Sequence, residues 1–353
     1  MKEAYLYKKL DDGKVECMLC AHKCVIADGR RGLCGVRENL QGTLYSLVYG
    51  KLATAHIDPI EKKPLYHFHP ASTTFSIATV GCNFRCLHCQ NADLSQYPKR
   101  FNEEFTITVT GDYTSPSDVV NSALKSSWGS ATPGSIRSIS YTYSEPTIFL
   151  EFALDCARLA RENGLKNVFV SNGFMTPQSA QELIPYLDAN NIDLKGDDEF
   201  YRKVCGGRVA PVKDTIRQMA DGGVWVEVTT LVIPGHNDSE PMLRAIAEFI
   251  ASVSPSIPWH VTGFYPTYKM MDRPWTPAKT LTMARQIGLD AGLKYVYQGN
   301  VYDDKGAEDT SCPSCKITLI KRQGFSVSNN ILQKDEHGNA LCPVCSTKIE
   351  GVW

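Results

Sequence analysis

The sequence predicts a parallel α/β protein, a barrel or partial (β/α)6 barrel of the TIM-like kind, with a small cysteine-rich module at each end. Three observations predict it. Strand-like runs alternate with helix-like runs from about residue 72 to residue 300. Most strand-like runs end in polar or glycine punctuation. Eleven of the 13 cysteines fall into three groups, within 17–34, 82–89 and 312–345.

The strand-like runs are, in order, TTFSIATVG, SIRSISYTY, NVFVSNG, NNIDLKG, VWVEVTTLVIPG, WHVTGFYP and KYVYQGN. All are rich in β-branched or aromatic residues and bounded by turn residues. Between them, IFLEFALDCARLARENG places Ile148, Phe152, Leu159 and Ala160 near one helical face, with Thr147 as the expected cap and Gly164 as the stop. SAQELIPYLDAN, VKDTIRQMADGG and SEPMLRAIAEFIASV, the last with Ser239 as cap, read the same way. Strands alternating with helices imply crossovers and hence a parallel sheet. In such folds chemistry collects at the C-terminal ends of the strands. Cys82, Glu145, Asn172, Lys195, Thr229 and His260 stand there. Three regions are expected: a cysteine-rich extension over 1–70, the barrel over 71–300 and a hairpin-like module over 301–353.

The chain has 353 residues and a net charge of 37 − 38 = −1, so nothing global argues for nucleic acid or a membrane surface. The opening, MKEAYLYKKLDDGKVE, lacks an apolar core of signal-peptide length, and no stretch approaches the ~20 apolar residues of a membrane span. A cytoplasmic protein without membrane contact is expected. The short basic stretches KSSWGS and KRQGF read as solvated faces, and His67 and His69 of HFHP as packed or solvated histidines.

Thirteen cysteines in such a compartment point to metal or redox chemistry rather than disulfides. Cys312-Pro-Ser-Cys315 and Cys342-Pro-Val-Cys345 supply four thiolates, as a structural zinc or a rubredoxin-like iron requires. Cys17, Cys20, Cys24 and Cys34 supply four more, with His22 among them, and fit either zinc or an auxiliary iron–sulfur cluster. Cys156 and Cys205 read as buried, indifferent thiols. Cys82, Cys86 and Cys89 form C-x3-C-x2-C directly after a strand. Three thiolates on a [4Fe–4S] cluster leave one iron open.

That motif closely resembles the signature of the radical S-adenosylmethionine (radical SAM) superfamily. The resemblance implies a [4Fe–4S] cluster on Cys82, Cys86 and Cys89 whose open iron holds the methionine end of S-adenosylmethionine. Reductive cleavage then gives a 5′-deoxyadenosyl radical that abstracts hydrogen. Residue by residue, it implies His88 against the adenine, and Ser144 and Glu145 of YSEP at the methionine ammonium. Ser171 and Asn172 would face the ribose or carboxylate, and Asp193 and Lys195 of DLK the carboxylate. His260 matches a histidine that follows a Pro-aromatic pair. The fifth strand departs from the pattern, so Glu227 and Thr229 receive only weak roles. More narrowly, CMLCAHKC, GLCGVRENLQG, DPIEKKPLYHF, GCNFRCLHCQN, KYVYQGNV and the terminal CPSC and CPVC resemble the radical enzymes of the AmmeMemoRadiSam system. This implies AMMECR-type and Memo-type proteins as associates and a ferredoxin or flavodoxin as electron donor.

The expected function is therefore a radical SAM enzyme acting on a protein or other macromolecule. The alternatives are a glycyl-radical activator of the pyruvate formate-lyase activating type and a metal-bearing scaffold that binds a protein or nucleic acid.

Overall fold

Strand–helix alternation builds one dominant sheet. The computed structural model describes residues 1–102, 108–128, 136–301 and 306–353. Gly129 and Ser130 of KSSWGS and Ser135 of SIRSISYTY lie outside the described residues. The seven strand-like runs become strands Thr73–Ala78, Ile136–Tyr141, Lys166–Ser171, Ala189–Asp193, Trp225–Val232, Trp259–Gly263 and Val296–Gly299. Each pairs in parallel with the next. Because no strand is skipped, every crossover advances in one direction and the polar strand ends share one rim. Among the described residues the outermost strands do not pair with each other, so the barrel is partial.

An eighth strand, Thr54–Pro59, runs antiparallel to Thr73–Ala78 at the sheet edge. The sequence reading passed over it because its alternation is broken: Ala55, His56 and Ile57 are all exposed. Helices Pro116–Trp128, Leu150–Glu162, Pro177–Leu183, Val209–Asp221, Glu240–Val253 and Ala278–Asp290 fill the successive crossovers. The cap expected at Thr147 is corrected. A short 3-10 turn, Pro146–Phe149, precedes the helix, and the Glu145 side chain caps that turn by accepting from the Thr147 N–H. Pro146 occupies the first position, where a missing N–H costs nothing, and an acid suits the positive end. Ser239 does stand at the N-cap of Glu240–Val253, though its side chain makes no capping bond.

The cysteine-rich ends are tied to this sheet by buried polar contacts. Near the N-terminus, the Arg37 guanidinium donates to both carboxylate oxygens of Glu151 on helix Leu150–Glu162, and the Tyr5 N–H donates to the same carboxylate at 3.0 Å. At the C-terminus, His67 Nδ1 meets the Glu350 carbonyl at 2.7 Å, so Nδ1 carries the proton and Nε2 accepts from the Tyr297 hydroxyl at 2.5 Å. Arg322 donates to the Tyr66 carbonyl and the Thr310 hydroxyl, both at 2.7 Å. His67 is thus a packed histidine joining strand Val296–Gly299 to the chain end. No helix among the described residues is long and apolar enough to cross a membrane.

Arg37 is 1% exposed, and losing its partner would strand a buried charge. Glu151→Ala is expected to lower unfolding free energy by about 3–5 kcal/mol in chemical denaturation. The double replacement Arg37→Met/Glu151→Leu should recover most of that loss, and equal losses in both variants would show that the charge pair is not the clamp.

Candidate active site

The three-cysteine loop and the strand ends face one cavity of about 1840 Å³, counting its open mouth. Cys82, Cys86, Cys89 and His88 reach it from the loop after Thr73–Ala78. Ser144 and Glu145 follow the second parallel strand, while Ser171 and Asn172 end the third. Asp193 and Lys195 arrive on the fourth, Thr229 on the fifth and His260 on the sixth. Every barrel residue singled out from the sequence except Glu227 therefore lines the same space. The loop has no regular structure of its own. It is pinned by N–H groups of Arg85 and Leu87 donating to the carbonyls of Cys205 and Val204 at 2.7 and 3.0 Å.

Glu145 ties two strand ends together. Its Oε1 accepts from the Thr147 N–H, the Thr147 hydroxyl and the Ser171 hydroxyl at 3.0, 2.6 and 2.7 Å, and its Oε2 accepts from the Asn172 N–H at 2.7 Å. Burial pushes this carboxyl above its ordinary value, against those four hydrogen bonds. Asn172 carries the connection to the cysteine loop: Nδ2 donates to Asn83 Oδ1 at 2.6 Å and lies 3.8 Å from Cys82 Sγ. Gly173, at φ +68°, makes this turn, and a Cβ there would stand 2.7 Å from Ile192 Cγ2.

Lys195 Nζ donates to Asp193 Oδ2 at 2.6 Å. Burial works against its charge, but Asp193 and the Cys86 and Cys205 thiols outweigh it and raise the ammonium above its usual value. The His88 ring is held neutral, with burial lowering it to about 3 and Lys195 and His236 adding to the effect. Both His88 ring nitrogens and Ser144 Oγ are buried in the cavity wall without a hydrogen-bond partner. Atoms in that condition suit a polar ligand. The Cys205 thiol and burial raise Cys86 well above its ordinary value, and burial raises Cys82. Thiolates here need a bound cation, which deprotonates a ligating thiol outright. Convergent thiols plus orphaned polar atoms fit a cluster and a polar cosubstrate.

His260 is more engaged than the sequence suggested. Its Nε2 meets Glu227 Oε2 at 2.6 Å. Glu227 also accepts from the N–H groups of Tyr66 and His67 and from Trp225 Nε1, at 2.8–3.0 Å. It is a buried hub of the barrel floor, while Thr229 lines the cavity and donates to Asn191 Oδ1 at 3.0 Å. Two features were missed. Cys205 is buried, as expected, but stands beside the loop: one ligand atom each of Cys86, His88 and Cys205 lies within 4.8 Å of the others. Lys63, also in the cavity wall, donates to Asp58 Oδ2 at 2.7 Å and is lowered to about 8 by burial, with Asp58 opposing. The signal for Lys63 was present in DPIEKKPLYHF, which carried family resemblance but no assigned chemistry.

The eight cysteines of the two terminal groups behave differently at the two ends. Sulfur pairs Cys312–Cys345 and Cys315–Cys342 are 3.6 Å apart, and all four sulfurs lie within 4.8 Å of one another. A tetrahedral ion with ~2.3 Å metal–sulfur bonds spaces its ligands ~3.8 Å apart, so this spacing fits a single metal ion. Cys17, Cys20, Cys24 and Cys34 line a separate cavity together with His22 and Asn83. His67 and His69 enter no metal-ligand group among the described residues.

An open parallel barrel whose first strand delivers three thiolates to the rim defines a class of enzyme. Residues 76–246 match the Radical SAM superfamily, and the chain belongs to that superfamily. It is a radical SAM enzyme, and its class implies a [4Fe–4S] cluster and S-adenosylmethionine. The chain is 43% identical over 351 residues to a protein of Methanocaldococcus jannaschii that bears the name uncharacterized protein MJ0808, covering 99% of both chains. It is 22% identical over 192 residues to the pyruvate formate-lyase-activating enzyme of Clostridium pasteurianum, covering 52% of this chain and 74% of that one. Among solved structures, a radical SAM methyltransferase from Sphaerobacter thermophilus superposes with a TM-score of 0.50 at 15% identity, over 68% of this chain and 70% of that one, a likeness of fold.

Asn172→Ala removes the bond from Asn172 to Asn83 and the cover over Cys82. The expected cost is about 1–3 kcal/mol of stability, with less iron retained per chain after gel filtration than in wild type. Unchanged iron retention would show that Asn172 does not support the loop.

Proposed function

We propose that this protein cleaves S-adenosylmethionine to generate a radical that abstracts hydrogen from a macromolecular substrate. The observation that carries this reading is the single cavity, which gathers the three thiolates with every polar strand end. When bound, the cluster supplies the one electron that splits the S–C5′ bond into methionine and a 5′-deoxyadenosyl radical.

Cys82, Cys86 and Cys89 would hold the cluster, and three thiolates for four irons would leave one position for S-adenosylmethionine. His88, neutral and unpartnered, offers one donor and one acceptor to the adenine. Lys195, kept charged by Asp193, faces the carboxylate. Glu145 Oε2 accepts one protein hydrogen bond where Oε1 accepts three, so Oε2 retains the lone pair that receives the methionine ammonium. Ser144 borders that ammonium, and Ser171 and Asn172, held by Glu145, face the ribose. His260, held by Glu227 behind it, forms the rigid far wall.

The C-terminal four-cysteine site holds zinc and shapes a module whose hairpin turn brings Phe325, 51% exposed, to the cavity mouth. An exposed aromatic at the open mouth suits a large substrate. A ferredoxin or flavodoxin serves as electron donor, and AMMECR-type and Memo-type proteins are the partners to test first. Similarity to a pyruvate formate-lyase-activating enzyme favours a second reading, in which the hydrogen is taken from a glycine of a partner enzyme. A glycyl-radical EPR doublet on such a partner would single it out.

Anaerobically reconstituted, reduced protein is expected to convert S-adenosylmethionine to 5′-deoxyadenosine and methionine, read by chromatography. Cys86→Ala should fall to the level of a protein-free control. Lys195→Met should weaken S-adenosylmethionine binding by about 10–100-fold, the loss of one charge-assisted hydrogen bond. Iron-replete, reduced wild type that yields no 5′-deoxyadenosine would contradict the proposal.

A further inference from the structure

Four thiolates can hold one ion or a multi-iron cluster, and sulfur spacing separates the two. On one tetrahedral ion the sulfurs share a metal and crowd to ~3.8 Å. In a cluster each thiolate takes an iron corner, so the sulfurs stand farther apart. This chain contains a reference for each case. The C-terminal four are collapsed, with pairs at 3.6 Å. The cluster-binding trio Cys82, Cys86 and Cys89 is open, its three sulfurs not all within 4.8 Å of one another.

Cys17, Cys20, Cys24 and Cys34 follow the open case. No three of their sulfurs lie within 4.8 Å of one another. They nevertheless line one shared pocket. Cys17, Cys20 and Cys34 are buried and Cys24 partly so. A single zinc would draw these sulfurs together.

The pocket adjoins the reactive loop. Asn83, the residue after Cys82, lines it. His22 Nε2 meets the Asn83 carbonyl at 2.9 Å. On the other side of Cys82, Gly81 at φ +103° packs so closely that a Cβ would stand 3.1 Å from the Cys34 carbonyl oxygen and 2.8 Å from Val36 Cγ1. None of the four cysteines lines the large cavity. A fully thiolate-ligated cluster also has no open iron to offer a substrate, which leaves electron transfer as its chemistry.

We propose that Cys17, Cys20, Cys24 and Cys34 hold an auxiliary iron–sulfur cluster, not a single zinc ion, and that it passes electrons to the three-cysteine site. One electron enters from a reduced ferredoxin- or flavodoxin-class donor, which is oxidised by one electron. The same electron leaves toward Cys82, and no bond forms or breaks at the four-cysteine site. The transfer step rests on the reading of the three-cysteine site given above, whereas the cluster assignment is read from metal content alone.

The test is iron, zinc and acid-labile sulfide per chain in anaerobically prepared full-length protein. Two [4Fe–4S] clusters give about eight irons beside about one zinc. About four irons with about two zincs would overturn the assignment. The triple variant Cys82→Ala/Cys86→Ala/Cys89→Ala should keep about half the iron and show an EPR signal on reduction. Zinc in place of that iron would also overturn it. Should this variant misfold, the wild-type metal count decides. For the transfer step, fully reduced wild type should show EPR lines broadened by coupling between two neighbouring clusters. A spectrum equal to the sum of the triple variant and a Cys20→Ala/Cys24→Ala variant would refute that proximity. None of these readings requires turnover, so failed S-adenosylmethionine cleavage and a failed cluster assignment are told apart.

Discussion

The site depends on one buried carboxylate. Glu145 sits where the second parallel strand turns into its helix, and its four hydrogen bonds bind that turn to the end of the third strand. Asn172, whose backbone is fixed by this carboxylate, reaches across to Asn83 and covers Cys82. A loop without regular structure is thereby held by the ordered ends of a parallel sheet. This is how an irregular cysteine loop acquires the fixed geometry that a cluster with one open iron requires. Burying a carboxylate is costly unless its acceptors are filled, and here they nearly are. The remaining capacity on Oε2 points to the one interaction left for a ligand.

The three cysteine groups differ in how closely the chain brings their sulfurs together. The C-terminal knuckles are two tight turns at the ends of short antiparallel strands, and they close their sulfurs on one point. The barrel loop and the N-terminal group spread theirs. The N-terminal group is also locked to the barrel by the Arg37–Glu151 pair, while the C-terminal module is locked through His67, Tyr297 and Arg322. Both appendages therefore share a rigid frame with the cavity. The N-terminal one stands behind the reactive loop, and the C-terminal one places Phe325 at the mouth.

Much of this was legible in the sequence. The seven parallel strands could be read because each is a β-branched run ending in punctuation, and the site residues could be read because parallel topology forces those ends to one rim. Strand Thr54–Pro59 could not, because an edge strand with three consecutive exposed residues has no alternation to detect. The helix cap was misplaced at Thr147 because a 3-10 turn intervenes, and local propensity does not distinguish that turn from a helical start. Cys205 was missed for a different reason: it comes beside Cys86 by long-range packing, which no spacing rule within one segment encodes. Lys63 lies five residues from Asp58 in DPIEKKPLYHF, but its place in the cavity wall depends on the fold around that segment. The hub at Glu227 is the same kind of case: its donors come from four residues spread over nearly 200 positions of chain.

The central claim is that three thiolates leave one iron for the methionine end of S-adenosylmethionine, inside the cavity fixed by Glu145. The most direct measurement is electron–nuclear double resonance on the reduced, cluster-loaded protein with S-adenosylmethionine carrying ¹⁵N and ¹⁷O in its amino and carboxylate groups. Strong hyperfine coupling from both labels to the cluster is predicted, with no such coupling in an otherwise cluster-loaded Glu145→Ala protein. An intact, reduced wild-type cluster that shows no coupling to either label would contradict the account.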